Sequence, residues 1–325
     1  MKDTIFEVLK KEFSGIQKNV LMKDHTTFQI GGPAEYFFAA TAKEELMRAI
    51  RVAKKLKLPL FVMGGGSNLL VADKGIKGLV IKNQITEPMV LKKSRGQTSV
   101  IEAPAGLVLG ALVEFSIRNS LEGLEWAGGL PGTFGGAIRG NAGAFGGEIK
   151  DSIFSVEVLD NNFKLKKLSY KQSKFSYRNS IFKERGWVIV SASIKLKKGD
   201  KKELEKISSS RITYRKERHP LEYPNAGSVF KNVDFKKVPK KFQGIFLDKM
   251  KQDPFPIVPS AWFIIGAGLT GKKIGQAQIS EKHSNYIVNR GGAKAKDVLA
   301  LIDLVKNKIK AKYGVHLEVE VQYLD

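Results

Sequence analysis

Apolar residues along this chain recur at two spacings, one typical of amphipathic helices and one typical of strands. Leu46, Ile50 and Ala53 recur at helical spacing behind residues 41–44, which have the pattern of a capping box, so we predict a helix that ends at about residue 56. Gly314 stands where a long helix would need a left-handed residue at its end. The same spacing predicts further helices over residues 3–13, 109–119, 201–215 and 294–313.

Short apolar runs bounded by glycine, proline, asparagine or aspartate predict strands. Residues 26–30 and 36–38 flank a Gly-Gly-Pro turn. The strand at 285–288, the helix at 294–313 and an alternating strand at 315–323 together predict a βαβ unit at the end of the chain. The predicted strands are 26–30, 36–38, 59–62, 69–71, 78–82, 99–103, 153–159, 163–168, 187–194, 285–288 and 315–323.

The stretch from residue 128 to residue 147 contains nine glycines, and Pro131 fixes one turn within it. Glycine adopts positive φ without steric cost and lets main chain approach a ligand closely. So much glycine disfavours a helix, and the apolar Leu130, Phe134 and Ile138 are not typical of a flexible linker. We therefore predict a long ordered loop whose backbone N–H groups face a ligand rich in anionic or carbonyl oxygens.

A second glycine turn, residues 64–68, lies between two predicted strands. P-loops and Rossmann dinucleotide turns need a helix directly after the turn, so this position argues against both. Two interpretations stay open, a turn that binds pyrophosphate oxygens and a plain tight hairpin. Residues 266–271 match G-x-G-x-x-G, but no helix is predicted after them and no acidic residue follows at the expected position. We reject a dinucleotide site there.

Composition and charge narrow the class of protein. The 325 residues include 55 basic and 32 acidic ones, a net charge of +23, which indicates a polyanionic partner or a generally basic surface; the scattered lysines favour the basic surface. The chain has no cysteine, so it offers no disulfide, thiolate nucleophile or cysteine-bound metal. We expect a cytoplasmic enzyme without a metal or a membrane span, because there is no long apolar run and no signal-peptide core. The length suits two or three subdomains, and the composition changes at residues 195–201, where we place a domain boundary.

Five stretches, in order along the chain, resemble the motifs of one enzyme family. The first two are similar to its two flavin loops, and the span after Arg178 passes into a strand without the long insertion of one subgroup. The family is UDP-N-acetylenolpyruvoylglucosamine reductase (MurB), in its second, shorter type, and the resemblance covers about residues 20–325. The five stretches are residues 64–70, 128–146, 177–183, 225–232 and 317–321.

The resemblance implies an α+β fold, with a two-part FAD-binding region of the vanillyl-alcohol-oxidase (PCMH) type and a C-terminal α/β substrate domain. The FAD-binding region would span residues 20–196, with subdomains at about 20–83 and 84–196, and the substrate-binding domain would span 200–325. The resemblance also implies non-covalent FAD, NADPH as hydride donor, and reduction of UDP-N-acetylglucosamine enolpyruvate to UDP-N-acetylmuramate in peptidoglycan precursor synthesis. The residues it assigns to FAD are Gly64, Gly65, Gly66, Ser67, Asn68, Leu69, Pro131, Gly132, Thr133, Gly135, Gly136, Ala137, Asn141, Gly143 and Ala144.

Such a reaction delivers hydride through N5 of the flavin to one carbon of an enol ether, and negative charge develops as an enolate on the neighbouring carboxylate. By resemblance, Arg178 and Glu320 stabilise this enolate, because a planar guanidinium suits a carboxylate and a protonated glutamate donates a hydrogen bond. Ser228 is by resemblance the proton donor to the carbanion and has to lie within hydrogen-bond reach of it. On the last predicted strand Glu318 shares a face with Glu320, and we take Glu318 as a surface residue.

Other residues near the substrate follow from the same resemblance. Tyr177, Asn232 and His283 match positions that contact the sugar nucleotide. Judged alone, Arg178 would suit a surface salt bridge, Ser228 a turn and His283 a structural histidine, and these alternatives stay open.

The chain departs from the family pattern at three places. Thr270 and Asn179 stand where the family often has lysine and aspartate, which puts phosphate recognition at residue 270 in doubt; Lys272 or Lys273 are alternatives. Arg139 is unusual inside the second glycine loop.

Two other functions remain as alternatives, an FAD-dependent alcohol or sugar oxidase of the same fold and a basic nucleic-acid-binding protein. We expect a monomer that binds neither nucleic acid nor membrane.

Overall fold

The structure, a computed structural model, describes residues 4–86, 89–93 and 97–325. The chain forms two compact units. Unit 1 comprises Met1–Val20, Ala34–Gly65 and Lys77–Tyr214, and unit 2 comprises Leu21–Pro33, Gly66–Ile76 and Arg215–Asp325. The α-helices are α1 (Thr4–Glu12), α2 (Lys43–Lys55), α3 (Leu109–Arg118), α4 (Phe134–Arg139), α5 (Ile181–Arg185), α6 (Lys201–Arg218), α7 (Lys240–Phe246), α8 (Ser260–Gly266) and α9 (Ala295–Tyr313).

The strands are mostly short, and nine of the strands in the described residues lie where apolar runs predict them. They are β1 (Gln17–Leu21), β2 (Pro33–Ala40), β3 (Leu60–Met63), β4 (Leu69–Val71), β5 (Ile76–Asn83), β6 (Val90–Lys93), β7 (Thr98–Pro104), β8 (Leu121–Glu122), β9 (Gly143–Ala144), β10 (Gly147–Glu148), β11 (Ile153–Leu159), β12 (Leu165–Ser169), β13 (Val188–Lys198), β14 (Asn225–Ser228), β15 (Val233–Asp234), β16 (Ile257–Val258), β17 (Lys273–Ile274), β18 (Ala277–Ile279), β19 (Tyr286–Asn289) and β20 (Gln322–Leu324).

The first sheet of unit 1 has the strand order β1-β2-β5-β3, with β3 parallel to β5. Helices α1 and α2 bury their apolar faces in its core, where Phe13 stacks obliquely on Phe38. The predicted helices there are confirmed, although residue 3 of the predicted range lies outside the described residues. The capping glutamate is Glu45 rather than Glu44, because α2 begins at Lys43 and its third residue accepts from the backbone N–H groups of Thr41 and Ala42.

The second sheet of unit 1 is antiparallel, with the order β12-β11-β13-β7-β6 and with β8 paired to β13. Helices α3 and α4 pack into its core. The prediction that the second glycine loop holds no helix is wrong, since α4 lies inside it. Thr133 caps α4 by accepting from the N–H of Gly136 at 3.3 Å, and Phe134 and Ile138, one turn apart, are fully buried. Burial of these two side chains outweighs the unfavourable helix propensity of two glycines, about 1 kcal/mol each.

Unit 2 is built around the sheet β14-β19-β18-β17 and the long helix α9. Phe246 and Phe263 stack at 4.3 Å and both pack against Tyr313 of α9, which fills the other side of this core. Gly314 ends α9 with φ +68°, as predicted. The carboxylate of Asp73 accepts from the N–H of Ala295, which satisfies a donor at the start of the helix.

Two strand predictions in unit 2 are wrong. Residues 26–30 form no strand. Gln29 has φ +52°, and the carbonyl oxygens of Phe28 and Gln29 accept hydrogen bonds from the Asn289 side chain rather than from the backbone of a neighbouring strand. In the 315–323 segment Val319 makes an isolated bridge to Phe230, and a strand, β20, begins at Gln322. The predicted βαβ unit is also wrong, because β20 pairs in parallel with β4, whereas β19 belongs to another, antiparallel sheet.

The elements that flank two glycine-rich turns, residues 64–68 and 266–271, show what kind of turn each one is. The turn at 64–68 is no hairpin, because β3 before it pairs with β5 and β4 after it pairs with β20. The G-x-G-x-x-G match at 266–271 follows helix α8 and leads into strand β17, the reverse of a Rossmann turn. The rejection of a dinucleotide site at 266–271 is therefore sound.

Candidate active site

Within unit 1 the two predicted flavin loops touch each other. A Cβ atom on Gly64 would lie 2.2 Å from Thr133 Oγ1, and one on Gly65 would lie 3.3 Å from the Cα of Gly132. Any side chain at Gly64 would therefore separate the loops. Gly65, Pro131 and Gly136 are exposed, so the joined loops present main chain rather than side chains to their surroundings.

The helical part of the second loop packs against the turn that follows strand β7. The N–H of Gly135 donates to the carbonyl of Ala105 at 2.8 Å, and a Cβ on Gly135 would lie 2.7 Å from the Cβ of Ala105. Ala137 is buried, and its N–H donates to the Thr133 carbonyl. This close packing accounts for the small residues at these positions.

The remainder of the first loop belongs to unit 2. Gly66 has φ +67°, and a Cβ there would lie 2.3 Å from the carbonyl oxygen of His25. Ser67 is half-buried, and Leu69 opens strand β4. The side-chain amide of Asn68 donates to the carbonyl oxygen of Glu320 at 3.2 Å, and the N–H of Gln322 donates back to the Asn68 carbonyl. A residue that we predicted to bind cofactor is thus tied to the predicted acid.

Asn141 is the centre of a buried network at the end of the second loop. Its side chain is fully buried and donates to Glu148 Oε1 and to the carbonyl of Ser176, both at 3.0 Å, while its Oδ1 accepts from the N–H of Lys150. Lys150 Nζ also pairs with Glu148. Burial alone would lower the pKa of Lys150, but the hydrogen bond and charge of Glu148 outweigh it and raise that pKa. The amide of Asn141 is therefore committed to this network.

Arg178 lies at the tip of a tight turn. The N–H of Asn179 donates to the carbonyl of Ser176 across the turn, and Arg178 has φ +54°, the left-handed conformation that a type II turn needs at its third residue. Its guanidinium donates to the carbonyl oxygen of Gly143 at 2.8 Å and lies 5.2 Å from the ring centre of Tyr177. The turn thus holds Tyr177 and Arg178 together against the second glycine loop, next to Ala144 of β9.

Arg139, the unusual arginine of the second loop, is mostly buried. Its carbonyl accepts from Ser180 Oγ at 2.7 Å, and burial lowers the pKa of its guanidinium. Ser180 also caps α5 by accepting from the N–H of Lys183. Asn179, the second departure, donates to Glu184 at 2.6 Å on the same helix.

In unit 2 the backbone segments that carry Ser228 and Glu320 are hydrogen-bonded to each other. Ser228 ends β14, and the N–H of Glu320 donates to the carbonyl of the next residue, Val229, at 2.8 Å. Asn285 fixes this segment, since its carbonyl accepts from the N–H of Val229 and its side chain exchanges two hydrogen bonds with Phe230. Ser228 and Glu320 are both half-buried.

The neighbouring Glu318 behaves as the surface residue that we expected. Its side chain is 59% exposed and pairs with Lys231 at 3.0 Å and with Lys237 at 3.6 Å. The hydrogen bond from Lys231 holds the pKa of Glu318 below its usual range. Asn232, half-buried, accepts from the N–H of Ser260, which orients its amide.

Comparisons with known proteins match both parts of the chain. Residues 34–169 match the family model of an FAD binding domain, and residues 219–324 match the model described as UDP-N-acetylenolpyruvoylglucosamine reductase, C-terminal domain. The UDP-N-acetylenolpyruvoylglucosamine reductase of Clostridium novyi is 38% identical over 315 residues, which is 97% of this chain and 93% of the relative. That of Caldanaerobacter subterraneus is also 38% identical, over 98% of this chain and 96% of its own.

The chain belongs to the UDP-N-acetylenolpyruvoylglucosamine reductase family.

A solved member of the family agrees with this assignment. The crystal structure of the enzyme from Thermus caldophilus superposes with a TM-score of 0.73 and 30% identity, covering 95% of this chain and 100% of that one. The predicted fold class, α+β with an FAD-binding region of the vanillyl-alcohol-oxidase type, and the predicted FAD cofactor are confirmed. Among the helices of the described ranges, none is long and apolar enough to cross a membrane.

The sequence analysis of this family member missed a polar cluster in unit 2. Tyr286 lies opposite Ser228 in the β14–β19 register. The Tyr286 hydroxyl also lies 3.1 Å from Nδ1 of His219, and the rings of His219 and His283 meet edge to face at 5.5 Å. The available signal was a phenol next to the apolar pair Ile287 and Val288 in a predicted strand, and a histidine directly before Pro220.

Burial dominates the electrostatics of this cluster. It lowers the pKa of His219 to about 4, with help from the charges of His283, Arg215 and Lys282, and it raises the pKa of Tyr286 to about 12. Burial also lowers the pKa of His283. His283 Nδ1 accepts from a backbone N–H, that of Asn285 at 3.2 Å, so its proton is on Nε2, which is a donor.

The third departure from the family pattern, Thr270, is exposed and shares a hydrogen bond of 2.8 Å with Ser284. Lys272 and Lys273, the alternatives for phosphate recognition, are both exposed. Lys273 lies on β17, whereas Lys272 precedes that strand and exchanges main-chain hydrogen bonds with Leu269 and Ile279.

Proposed function

We propose that this chain is an NADPH-dependent flavoenzyme that reduces UDP-N-acetylglucosamine enolpyruvate to UDP-N-acetylmuramate, a step of peptidoglycan precursor synthesis. The observation that carries the proposal is the match to reductases of this name over 93–96% of their length. The geometry of both units agrees with it, since glycine-rich loops in unit 1 suit a dinucleotide, and in unit 2 the proposed hydroxyl and carboxyl lie on hydrogen-bonded backbone segments.

The glycine loops fit FAD. Gly65 and Gly132 allow two stretches of main chain to meet without side chains between them, which is the surface that a bulky, oxygen-rich dinucleotide needs. The chemistry supplied by a bound FAD is hydride transfer from NADPH to the enolpyruvyl double bond. The residues proposed to hold it are Gly64, Gly65, Gly66, Ser67, Asn68, Leu69, Pro131, Gly132, Thr133, Gly135, Gly136, Ala137, Asn141, Gly143 and Ala144.

Arg178 is proposed to bind the carboxylate on which negative charge develops. Its guanidinium stays charged and is held in a fixed orientation by carbonyl oxygens of the second loop, so little reorganisation is needed as the charge grows. Its left-handed φ is a strained conformation for arginine, costing on the order of 1 kcal/mol, and such strain is found where a side chain has to point in one direction. Tyr177, beside it in the turn, is proposed to contact the sugar nucleotide.

Ser228 is proposed to protonate the α-carbon, and Glu320 to donate a hydrogen bond to the enolate. The hydrogen bond between the Glu320 N–H and Val229 keeps the two side chains on neighbouring backbone segments. Asn232 and His283 are proposed to contact the substrate through an oriented amide and an Nε2–H donor. We also propose the division into an FAD-binding region at 20–196 and a substrate-binding domain at 200–325, in a monomeric cytoplasmic enzyme.

The test is an anaerobic assay of the two half-reactions. The purified protein should be yellow, NADPH should bleach the flavin absorbance, and UDP-N-acetylglucosamine enolpyruvate should restore it with formation of UDP-N-acetylmuramate. Ser228→Ala should leave the bleaching rate unchanged and slow the recovery by about 100-fold or more. Ser210→Ala, at an exposed serine of α6, is the matched control and should change neither rate.

Two results would contradict the proposed reaction, and a third would contradict only the role of Ser228. Rapid recovery in air without the sugar nucleotide would indicate an oxidase. A colourless protein that retards nucleic acid on a gel would indicate the polyanion-binding alternative. Equal slowing of both half-reactions in Ser228→Ala would remove the proton-donor role while leaving the reaction itself in place.

A further inference from the structure

The polar cluster in unit 2 is a row of neighbouring polar groups that starts at Ser228. Ser228 is half-buried, Tyr286 behind it is only 7% exposed, and His219 at the other end is half-buried again. Ser228 and Tyr286 lie directly opposite each other across the β14–β19 pair, and the Tyr286 hydroxyl lies 3.1 Å from His219 Nδ1. A buried phenol therefore bridges two groups that each reach the surface of the unit.

We propose that Tyr286 and His219 form a proton relay that returns a proton to Ser228 during the reduction of the substrate. This inference rests on the proposed function, and it assigns positioning residues that act through Ser228. The need for a relay follows from the chemistry of serine. A serine that protonates carbon would become an alkoxide, and a charged alkoxide in a partly desolvated site is costly unless it is protonated in the same step.

The relay balances as a set of coupled proton shifts. The O–H bond of Ser228 breaks as a C–H bond forms on the substrate, and the Tyr286 hydroxyl gives its proton to Ser228 Oγ. His219 Nδ1–H passes its proton to the Tyr286 oxygen, and a solvent proton binds at Nε2 of the same imidazole. The net result is one solvent proton on carbon, with His219 left as its other neutral tautomer, which exchange with water resets.

The surroundings of the relay keep all three groups neutral between transfers. Burial raises the pKa of Tyr286 to about 12, which brings its acidity nearer to that of a serine hydroxyl. The charge of Arg215 lowers the pKa of Tyr286, and the charge of Glu320 raises it. Burial and the charges of His283, Arg215 and Lys282 keep His219 unprotonated near neutral pH, so no fixed imidazolium lies beside the phenol.

The test compares Tyr286→Phe with the parent enzyme in the two half-reactions. Bleaching by NADPH should be unchanged, and recovery with the enolpyruvyl sugar nucleotide should slow by about 10-fold to 100-fold. The recovery rate is also measured in mixtures of H2O and D2O. For the parent enzyme its dependence on deuterium content should indicate that several protons move in the rate-limiting step, whereas for Tyr286→Phe it should indicate a single proton. Small acids such as imidazolium buffer should accelerate recovery of the variant. Tyr323→Phe, at an exposed tyrosine of β20, is the matched control.

A second variant and a spectrum make the test independent of activity and of folding. His219→Gln keeps a hydrogen-bonding side chain without a second ring nitrogen, and its recovery should also slow and show one proton in flight. The nitrogen NMR signal of His219 Nδ1 should shift in Tyr286→Phe and stay in place in Tyr323→Phe. Recovery at the parental rate in either relay variant, with unchanged deuterium dependence, would overturn the relay. Failure of the parent enzyme to recover with substrate would instead overturn the proposed function.

Discussion

The guanidinium of Arg178 donates a hydrogen bond to the main-chain carbonyl of Gly143 at 2.8 Å. The second glycine loop is thereby a scaffold for the turn that carries Arg178 as well as a proposed surface for FAD. Gly143 has to be glycine for this contact, because a Cβ there would lie 2.7 Å from Glu148 Cγ and 3.3 Å from Arg178 Nη1. The loop and the arginine are therefore coupled by sterics as well as by a hydrogen bond.

Arg178→Lys should impair substrate reduction while sparing flavin binding. A lysine carries the charge but cannot keep the planar fork that reaches both loop carbonyls and a carboxylate. We expect the rate of flavin recovery with substrate to fall by about 100-fold or more, a size typical of a lost charge-stabilising donor. Stopped-flow absorbance at the flavin band measures it. Arg185→Lys, at an exposed arginine of α5, is the control and should match the parent enzyme.

Gly143→Ala should weaken the same function from the loop side. The added methyl group meets Glu148 and Arg178, so the carbonyl of residue 143 has to move away from the guanidinium. We expect a loss of about 1–3 kcal/mol in the free energy of unfolding, as for overpacking, and a slower recovery step. Urea unfolding and stopped flow measure the two effects. Gly140→Ala, whose Cβ would approach nothing closer than 3.6 Å, should show neither.

The contact between the two glycine loops predicts a defect of another kind. In Gly64→Ala the new Cβ would lie 2.2 Å from Thr133 Oγ1, so the loops have to separate and the cap of α4 is disturbed. We expect the purified variant to retain less than half of the flavin per chain, measured by absorbance after gel filtration. A variant as yellow as the parent protein would show that the loop contact is unimportant for the cofactor. Gly110→Ala, on α3 with nothing near its Cβ, is the control.

Local signals predicted much of this architecture. The glycine loops were found because positive φ and close backbone contacts leave glycine as the residue of choice. Helix α9 and its end at Gly314 can be predicted because both signals are local. One is a long amphipathic pattern, and the other is a glycine directly after it that can adopt the left-handed conformation.

The errors arise where distant residues decide the structure. Helix α4 was missed because its stability comes from burying Phe134 and Ile138 rather than from propensity. Strand β20 is short because its partner, β4, is itself short and lies far away in sequence. The pair Tyr286 and His219 was not foreseen because 67 positions separate the two residues, and each alone resembles ordinary core or loop chemistry.

The lowered pKa of His219 predicts how stability depends on pH. Its folded-state value of about 4 lies below the usual 6.5, so the unfolded chain takes up this proton first as pH falls, and stability should decrease from about pH 6.5 toward pH 4. The slope is at most about 1.4 kcal/mol per pH unit, and less because solvent screens a partly exposed imidazole. His219→Gln should flatten this part of the profile, measured by urea unfolding between pH 7 and pH 5, although His283 retains a contribution of the same sign. His316→Gln, at an exposed histidine, is the control; an equal slope in His219→Gln and the parent protein would contradict the assignment.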